Sequence, residues 1–358
     1  MSTKPMKKDS FPCTPRPRHR VGLAGALVVG VAALSLVGAR AHEPREPVPD
    51  LASSVPEALD VHASRFTAND FDWFDSQRQR RVPAKLYLPA AKGVAGSVPL
   101  VVFSHGIGGS RDGYSYLGRY LAAHGYGSLH VQHVGSDRQL WFGNPFALTA
   151  RLSDAAQDSE ALHRVQDLRY ALDKLLAAQE GALFDTRRIA AAGHSYGANT
   201  TMLITGAQVE HLGQKVSLRD PRISAAILIS APPFYGMGDP NEILAGIAVP
   251  TLHITATDDV IQIPGYASGL QDRLDIFEAM GRERAAPKVL AVFRDGSHSI
   301  FTDRMGTGGL SLNPRVKVAT RQLALAFLNG ILVSNYLAVD AWSLSHGELV
   351  ATFEKRVP

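Results

Sequence analysis

Gly193-His194-Ser195-Tyr196-Gly197 is the segment best suited to do chemistry: a serine with glycine two residues before it and two after. This spacing turns a strand into a helix so sharply that the hydroxyl stands out on a strained corner. Bulk at either glycine would drive strand and helix into each other. A hydroxyl presented in this way performs acyl transfer when an imidazole takes its proton and a carboxylate orients the imidazole. His298, in the Arg294-Asp295-Gly296-Ser297-His298-Ser299 loop, is the expected base. The expected acid ends the run Val249–Thr257, where Asp258 and Asp259 stand side by side and only one can face the histidine. From Asp259 to His298 is 39 residues, enough for one helix and one strand.

Negative charge that develops on the substrate oxygen needs donors. A helix that starts after Ser195 has free N–H groups and a positive dipole end, so the Tyr196 N–H is the first candidate. Ser104-His105-Gly106-Ile107-Gly108-Gly109 follows a solidly apolar run, and its glycines permit the tight turn that aims a backbone donor. The Ile107 N–H is the second candidate, and His105 is read as structural. His194 is expected to pack beneath the turn. His130 and His133 sit three apart in or near a strand, which puts them on opposite faces and makes them a poor metal pair. No metal site or cofactor is expected. Trp141, Phe142, Phe146 and Phe234 are candidates to line an apolar pocket.

These residues need a scaffold, and the sequence supplies alternating strands and helices. Strands are expected over 81–89, 98–104, 127–134, 188–192, 223–230, 251–255 and 288–293. Val98–Ser104 is apolar throughout, as in a strand buried on both faces. Helices are expected over 114–124, 154–179, 198–205, 270–280 and 315–332, with Leu162, Val165, Leu168, Leu172 and Leu175 spaced as one apolar stripe. Residues 135–153 read as a long loop. The alternation predicts an α/β fold, a mostly parallel sheet with helices on both faces and a small lid or loop region.

The charge is uneven. Of 37 basic and 33 acidic residues, residues 1–41 hold seven and one, so the remainder carries 30 against 32. Nothing in that balance suggests a nucleic-acid partner. A basic stretch to Arg20, an apolar run Val21–Gly38 and Ala39-Arg40-Ala41 read as an export signal, with cleavage expected after Ala41. An uncleaved anchor is the alternative, because the run approaches bilayer length. Residues 42–65 read as a flexible lead-in and 66–358 as one domain. After cleavage, a periplasmic or secreted location with no stable membrane association is expected. Cys13 is the only cysteine and lies within the signal, so neither a disulfide nor a cysteine nucleophile is available to the mature chain.

From about residue 66 to 332 the chain resembles the α/β-hydrolase superfamily. Within it the resemblance is closest to bacterial predicted dienelactone hydrolases, grouped with chlorophyllase-like, platelet-activating-factor acetylhydrolase-like and cutinase-like polyester hydrolases. It is carried by LYLP at 86–89, VVFSHGIGG at 101–109, YLAAHGYGSLHVQH at 120–133, GHSYGA at 193–198, VPTLHIT at 249–255 and GSH at 296–298. It implies the α/β-hydrolase fold and ester hydrolysis by Ser195, His298 and Asp259, the acid lying nine residues after Pro250. It also implies oxyanion donors at Ile107 and Tyr196. The expected activity is that of an exported serine hydrolase on small-molecule or polymeric carboxylic esters, with short-chain or aryl esters foremost. Lipase, thioesterase or amidase action on the same triad, or a non-catalytic binding protein of this fold, are the alternatives. The chain departs from the pattern in three ways. Pro232-Pro233-Phe234 stands where polyester hydrolases carry tryptophan, the mature chain lacks the disulfide common in secreted relatives, and serine replaces the cysteine of true dienelactone hydrolases.

Overall fold

The computed structural model describes residues 65–91, 93–234, 238–263, 266–281, 286–304, 307, 309–332 and 337–357. The expected signal over 1–41 and the lead-in up to residue 64 lie outside the described residues. In chain order the elements are β1 (Phe66–Asp75), β2 (Arg80–Pro89), β3 (Val98–Ser104), α1 (Ser115–Ala123) and β4 (Gly127–Val131), then α2 (Leu148–Ala155), α3 (Asp158–Ala177), β5 (Phe184–His194) and α4 (Tyr196–Thr205). They continue with β6 (Gln208–His211), β7 (Gln214–Ser217), β8 (Ile223–Ile229), α5 (Pro240–Leu244), β9 (Thr251–Asp258), β10 (Ile261–Ile263) and β11 (Tyr266–Ser268). The last are α6 (Leu270–Ala279), β12 (Lys288–Ser297), α7 (Leu312–Leu332), α8 (Leu337–Ser345) and β13 (Val350–Arg356).

Nine strands form one sheet in the order β1-β2-β4-β3-β5-β8-β9-β12-β13. The middle six, from β4 to β12, run parallel. The outer strands β1, β2 and β13 pair antiparallel. This is the α/β-hydrolase fold.

Alternation along β3 shows how the sheet is held. Leu100 and Val102 point into a core shared with α3, α4 and α6, whereas Val101 and Phe103 point into the opposite core with α1, α7 and α8. Each fully buried side chain of this kind contributes roughly 1.5–3 kcal/mol. Two such layers explain why a parallel strand must be apolar on both faces.

The structure corrects the helix expected over 154–179. It is two helices, α2 and α3, separated at Gln157, whose backbone is extended (φ −65°, ψ 153°). The two pieces bury different stripes. Leu152 and Ala155 pack with Leu140, Trp141 and Leu148, while Val165, Leu168, Leu172 and Leu175 pack on the sheet. Residues 135–153, expected as loop, therefore already contain most of α2. The strand expected over 188–192 is longer, beginning at Phe184. The helix over 315–332 is not the last element, since α8 and β13 follow it. β1, β13 and the hairpin β6–β7 escaped the pattern because they are edge or surface strands with mixed polar sequences.

Candidate active site

The elbow is built by contacts that leave no room for alternatives. A Cβ at Gly193 would lie 2.1 Å from the carbonyl oxygen of Gly197, and one at Gly197 would lie 1.9 Å from that of Ser104. Glycine is therefore required where β5 meets α4 and where α4 crosses the end of β3. Ser195, between them, is held at φ 54° and ψ −124°, a strained conformation for a residue with a side chain. Its N–H is tied to the Ile229 carbonyl at 2.9 Å.

Parallel neighbours bring the remaining groups to the same sheet edge, where ligands of open α/β sheets bind. β9 delivers Asp259 and β12 delivers His298, both just beyond their carboxyl ends. His298 Nε2 lies 2.8 Å from Ser195 Oγ, and His298 Nδ1 lies 2.7 Å from Asp259 Oδ1. A carboxylate only accepts, so Nδ1 carries the proton and Nε2 is left to receive one from the serine. Of the two adjacent aspartates, Asp259 is wholly buried behind the ring and Asp258 is exposed.

Two residues that no motif announced complete the acid's surroundings. The Thr255 hydroxyl donates to Asp259 Oδ2 at 2.7 Å, and the Arg273 guanidinium lies 3.4 Å from Oδ1. Burial by itself would raise the Asp259 pKa. The electrostatic pull and hydrogen bond of His298, together with Arg273 and Thr255, outweigh it and hold the carboxyl well below the ordinary range.

His194 does more than pack beneath the turn. Its Nε2 lies 2.9 Å from the carbonyl oxygen of His298, which can only accept, so Nε2–H donates. Nδ1 then accepts from the Tyr114 hydroxyl at 2.7 Å. Burial depresses the His194 pKa to about 3, so the ring is neutral and this tautomer is fixed. The residue beside Ser195 thus ties down the main chain of His298, 104 positions later.

The backbone N–H groups of Ile107 and Tyr196 engage no acceptor among the described residues. Behind them lies a buried polar cluster. Arg164, with no exposed surface, donates to Thr200 Oγ1 (2.9 Å), Ser136 Oγ (2.8 Å), Ser104 Oγ (3.0 Å) and the His105 carbonyl. Its guanidinium also stacks 4.4 Å from the Tyr196 ring centroid. Burial lowers the Arg164 pKa to about 10, still charged at neutral pH. A signal for it existed: Arg164 is in phase with Leu168, Ala171 and Leu175 on the buried stripe of α3, where an arginine needs partners.

A cleft of about 600 Å³ opens onto Ser195 and His298. Ile107, Trp141, Pro232, Val260 and Tyr266 supply apolar lining, and Arg138 and Arg304 also line it. Of the four aromatic pocket candidates only Trp141 lines this cleft, its indole N–H bonded to the Gly108 carbonyl at 2.8 Å. Phe142 and Phe146 are exposed, and Phe234 packs against the core. His130 packs between Phe103 and Tyr87 and does not meet His133 as a co-ligand. Among the described residues no group of three or more His, Cys, Asp or Glu is placed to hold a metal ion.

Residues 78–139 match the family model of platelet-activating factor acetylhydrolase, isoform II. The matched segment runs from β2 through the Ile107 loop and ends before Ser195, Asp259 and His298. No curated protein matches the chain. The parallel sheet and the strand-to-helix elbow at its centre give the chain the α/β-hydrolase fold, and the matched segment supports a hydrolase-type protein.

Proposed function

We propose that this protein is a serine esterase that hydrolyses carboxylic esters through an acyl-enzyme on Ser195. The observation that carries the reading is the unbroken chain from Ser195 Oγ to His298 (2.8 Å) to Asp259 (2.7 Å), beside a cleft open to substrate. His298 Nε2 takes the Ser195 proton as Oγ attacks the ester carbonyl. The resulting oxyanion is held by the N–H groups of Ile107 and Tyr196. Collapse expels the alcohol, which leaves with the proton from His298. Water, deprotonated by the same ring, then releases the acid and restores the serine. Asp259 keeps the ring in the required tautomer and stabilises its charged form. The reaction as written needs no cofactor.

Short-chain and aryl esters are the proposed substrates. The similarity of residues 78–139 to an acetylhydrolase family supports a short acyl group. The indole of Trp141 and the ring of Tyr266 in the cleft lining support an aryl or other apolar alcohol. A non-catalytic binding role is disfavoured, because such proteins have no need of an aligned serine, imidazole and carboxylate. The protein is proposed to act outside the cytoplasm, on the strength of the basic and apolar segment that ends at Ala41.

Hydrolysis of p-nitrophenyl esters of graded length by the purified protein tests this. Rates are expected to be saturable, highest for acetate to butyrate, and at least about 10⁴-fold lower for Ser195→Ala. An active Ser195→Ala variant overturns the mechanism, and a preference for long acyl chains overturns the substrate class.

A further inference from the structure

The second oxyanion donor sits on a glycine-rich turn, and glycine-rich turns do not hold a peptide plane by themselves. The Ile107 N–H belongs to the Gly106–Ile107 peptide, whose other end is the Gly106 carbonyl. In a trans peptide the two point in opposite directions, so whatever fixes the carbonyl aims the N–H. This peptide lies against the nucleophile: a Cβ at Gly106 would be 3.3 Å from Ser195 Cβ.

The Gly106 carbonyl oxygen is held from behind. His105 Nδ1 lies 2.6 Å from it, and the Gly109 N–H lies 3.1 Å from it. A carbonyl only accepts, so His105 Nδ1 must carry a proton. At the other end of the ring, Nε2 accepts the backbone N–H of His133 at 3.1 Å, so Nε2 must be bare. Both ends demand the same neutral tautomer. Burial, together with the nearby Arg164 and His133, pushes the His105 pKa well below the ordinary value and keeps the ring uncharged.

The ring is itself anchored. The His133 imidazole lies 3.1 Å from Asp167 and 2.9 Å from Ser104 Oγ, and Arg164 donates to that same hydroxyl and to the His105 carbonyl. Every member of the chain has a partner, the condition under which a buried polar network is rigid.

We propose that His105 is a positioning residue of the esterase reaction: its Nδ1–H fixes the Gly106–Ile107 peptide so that the Ile107 N–H faces the substrate oxygen as it becomes an anion. The inference rests on the serine-esterase reading above. It assigns to His105 a role in the transition state, where the loop sequence alone suggests structure.

Two substitutions separate this role from mere packing. His105→Leu fills the space without the donor, and His105→Asn restores an N–H near the Nδ1 position. For His105→Leu, kcat on p-nitrophenyl butyrate is expected to fall roughly 10- to 100-fold, short of the loss from deleting an oxyanion donor outright. KM should stay within about twofold, the pattern of an interaction made only in the transition state. Affinity for a trifluoromethyl ketone, whose adduct with Ser195 carries the oxyanion, should fall in parallel. His105→Asn should recover most of both losses. A His105→Leu variant with unaltered kcat and ketone affinity overturns the proposal. So does a loss shared equally by kcat, KM and melting temperature that His105→Asn does not relieve. Should His105→Leu fail to fold, ¹⁵N shifts of the histidines in the unaltered protein decide: a proton on His105 Nδ1 supports the proposal and one on Nε2 overturns it. Absence of Ser195-dependent hydrolysis in the unaltered protein overturns the esterase reading itself, and this inference with it.

Discussion

Asp258 and Asp259 have the same chemistry and adjacent positions, yet the fold gives them opposite surroundings. Asp258 closes β9 opposite Ser297 of β12 and stays exposed. Asp259, one residue on, turns under the loop to meet His298, Thr255 and Arg273. A charge with no exposed surface is tolerable only because those three groups replace its water. Asp259→Asn is therefore expected to lower kcat by about 10³- to 10⁴-fold, through loss of the imidazole tautomer as well as charge. Asp258→Asn should leave kcat within about twofold. Steady-state hydrolysis of p-nitrophenyl butyrate by the two variants checks the contrast, and equal losses would remove Asp259 from its role.

The elements meet at two joints. The first is the elbow, where β5, α4 and the end of β3 approach so closely that Gly193 and Gly197 have no substitute. The second is the tie from the elbow to the base loop, made by His194 Nε2 to the His298 carbonyl and stiffened by Tyr114. This tie crosses from β5 to the loop after β12, two elements that are not neighbours in the sheet. His194→Leu should preserve the fold and loosen the loop. The expected loss in kcat is between about 10- and 100-fold, the scale of a displacement near 1 Å at a reacting group. Tyr114→Phe should cost less, since it removes only the bond that fixes the tautomer. An unchanged kcat for His194→Leu would show that the loop is held by its own turn at Ser299 and Thr302.

At the scale of the whole molecule, five buried histidines among the described residues are held neutral. Burial depresses His130 to about 4 and His194 and His253 to about 3, and it pushes His105 and His133 well below the ordinary value. In the unfolded chain each would titrate near pH 6.5. As pH falls below that value the unfolded state takes up protons that the folded state refuses, so stability declines until the folded pKa values are reached. Each histidine contributes on the order of 1 kcal/mol per pH unit, so five together remove several kcal/mol between about pH 6.5 and pH 5.5. Asp259, depressed by its partners, adds to the loss only at lower pH, below the unfolded carboxyl value near 4. Urea unfolding at pH 7.5, 6.5 and 5.5 is expected to show a falling midpoint with little change in slope. A flat midpoint over that range would mean that the histidines are solvated in the folded protein.

Much of this was legible in the sequence because it rests on local rules. Solid apolarity over Val98–Ser104, glycines two residues either side of Ser195 and a histidine just after a strand each follow from the geometry of one or two elements. What escaped was non-local. Nothing near Arg164 in the chain shows that four oxygens from three segments converge on it, and nothing near His194 shows that its donor reaches a carbonyl 104 residues away. The break between α2 and α3 was hidden for the same reason, since two apolar stripes that serve different surfaces look continuous along a line. Periodicity along a chain records which faces are buried. Which buried groups touch is decided only when the strands take their order in the sheet, and a buried charge or donor depends on those contacts for its state.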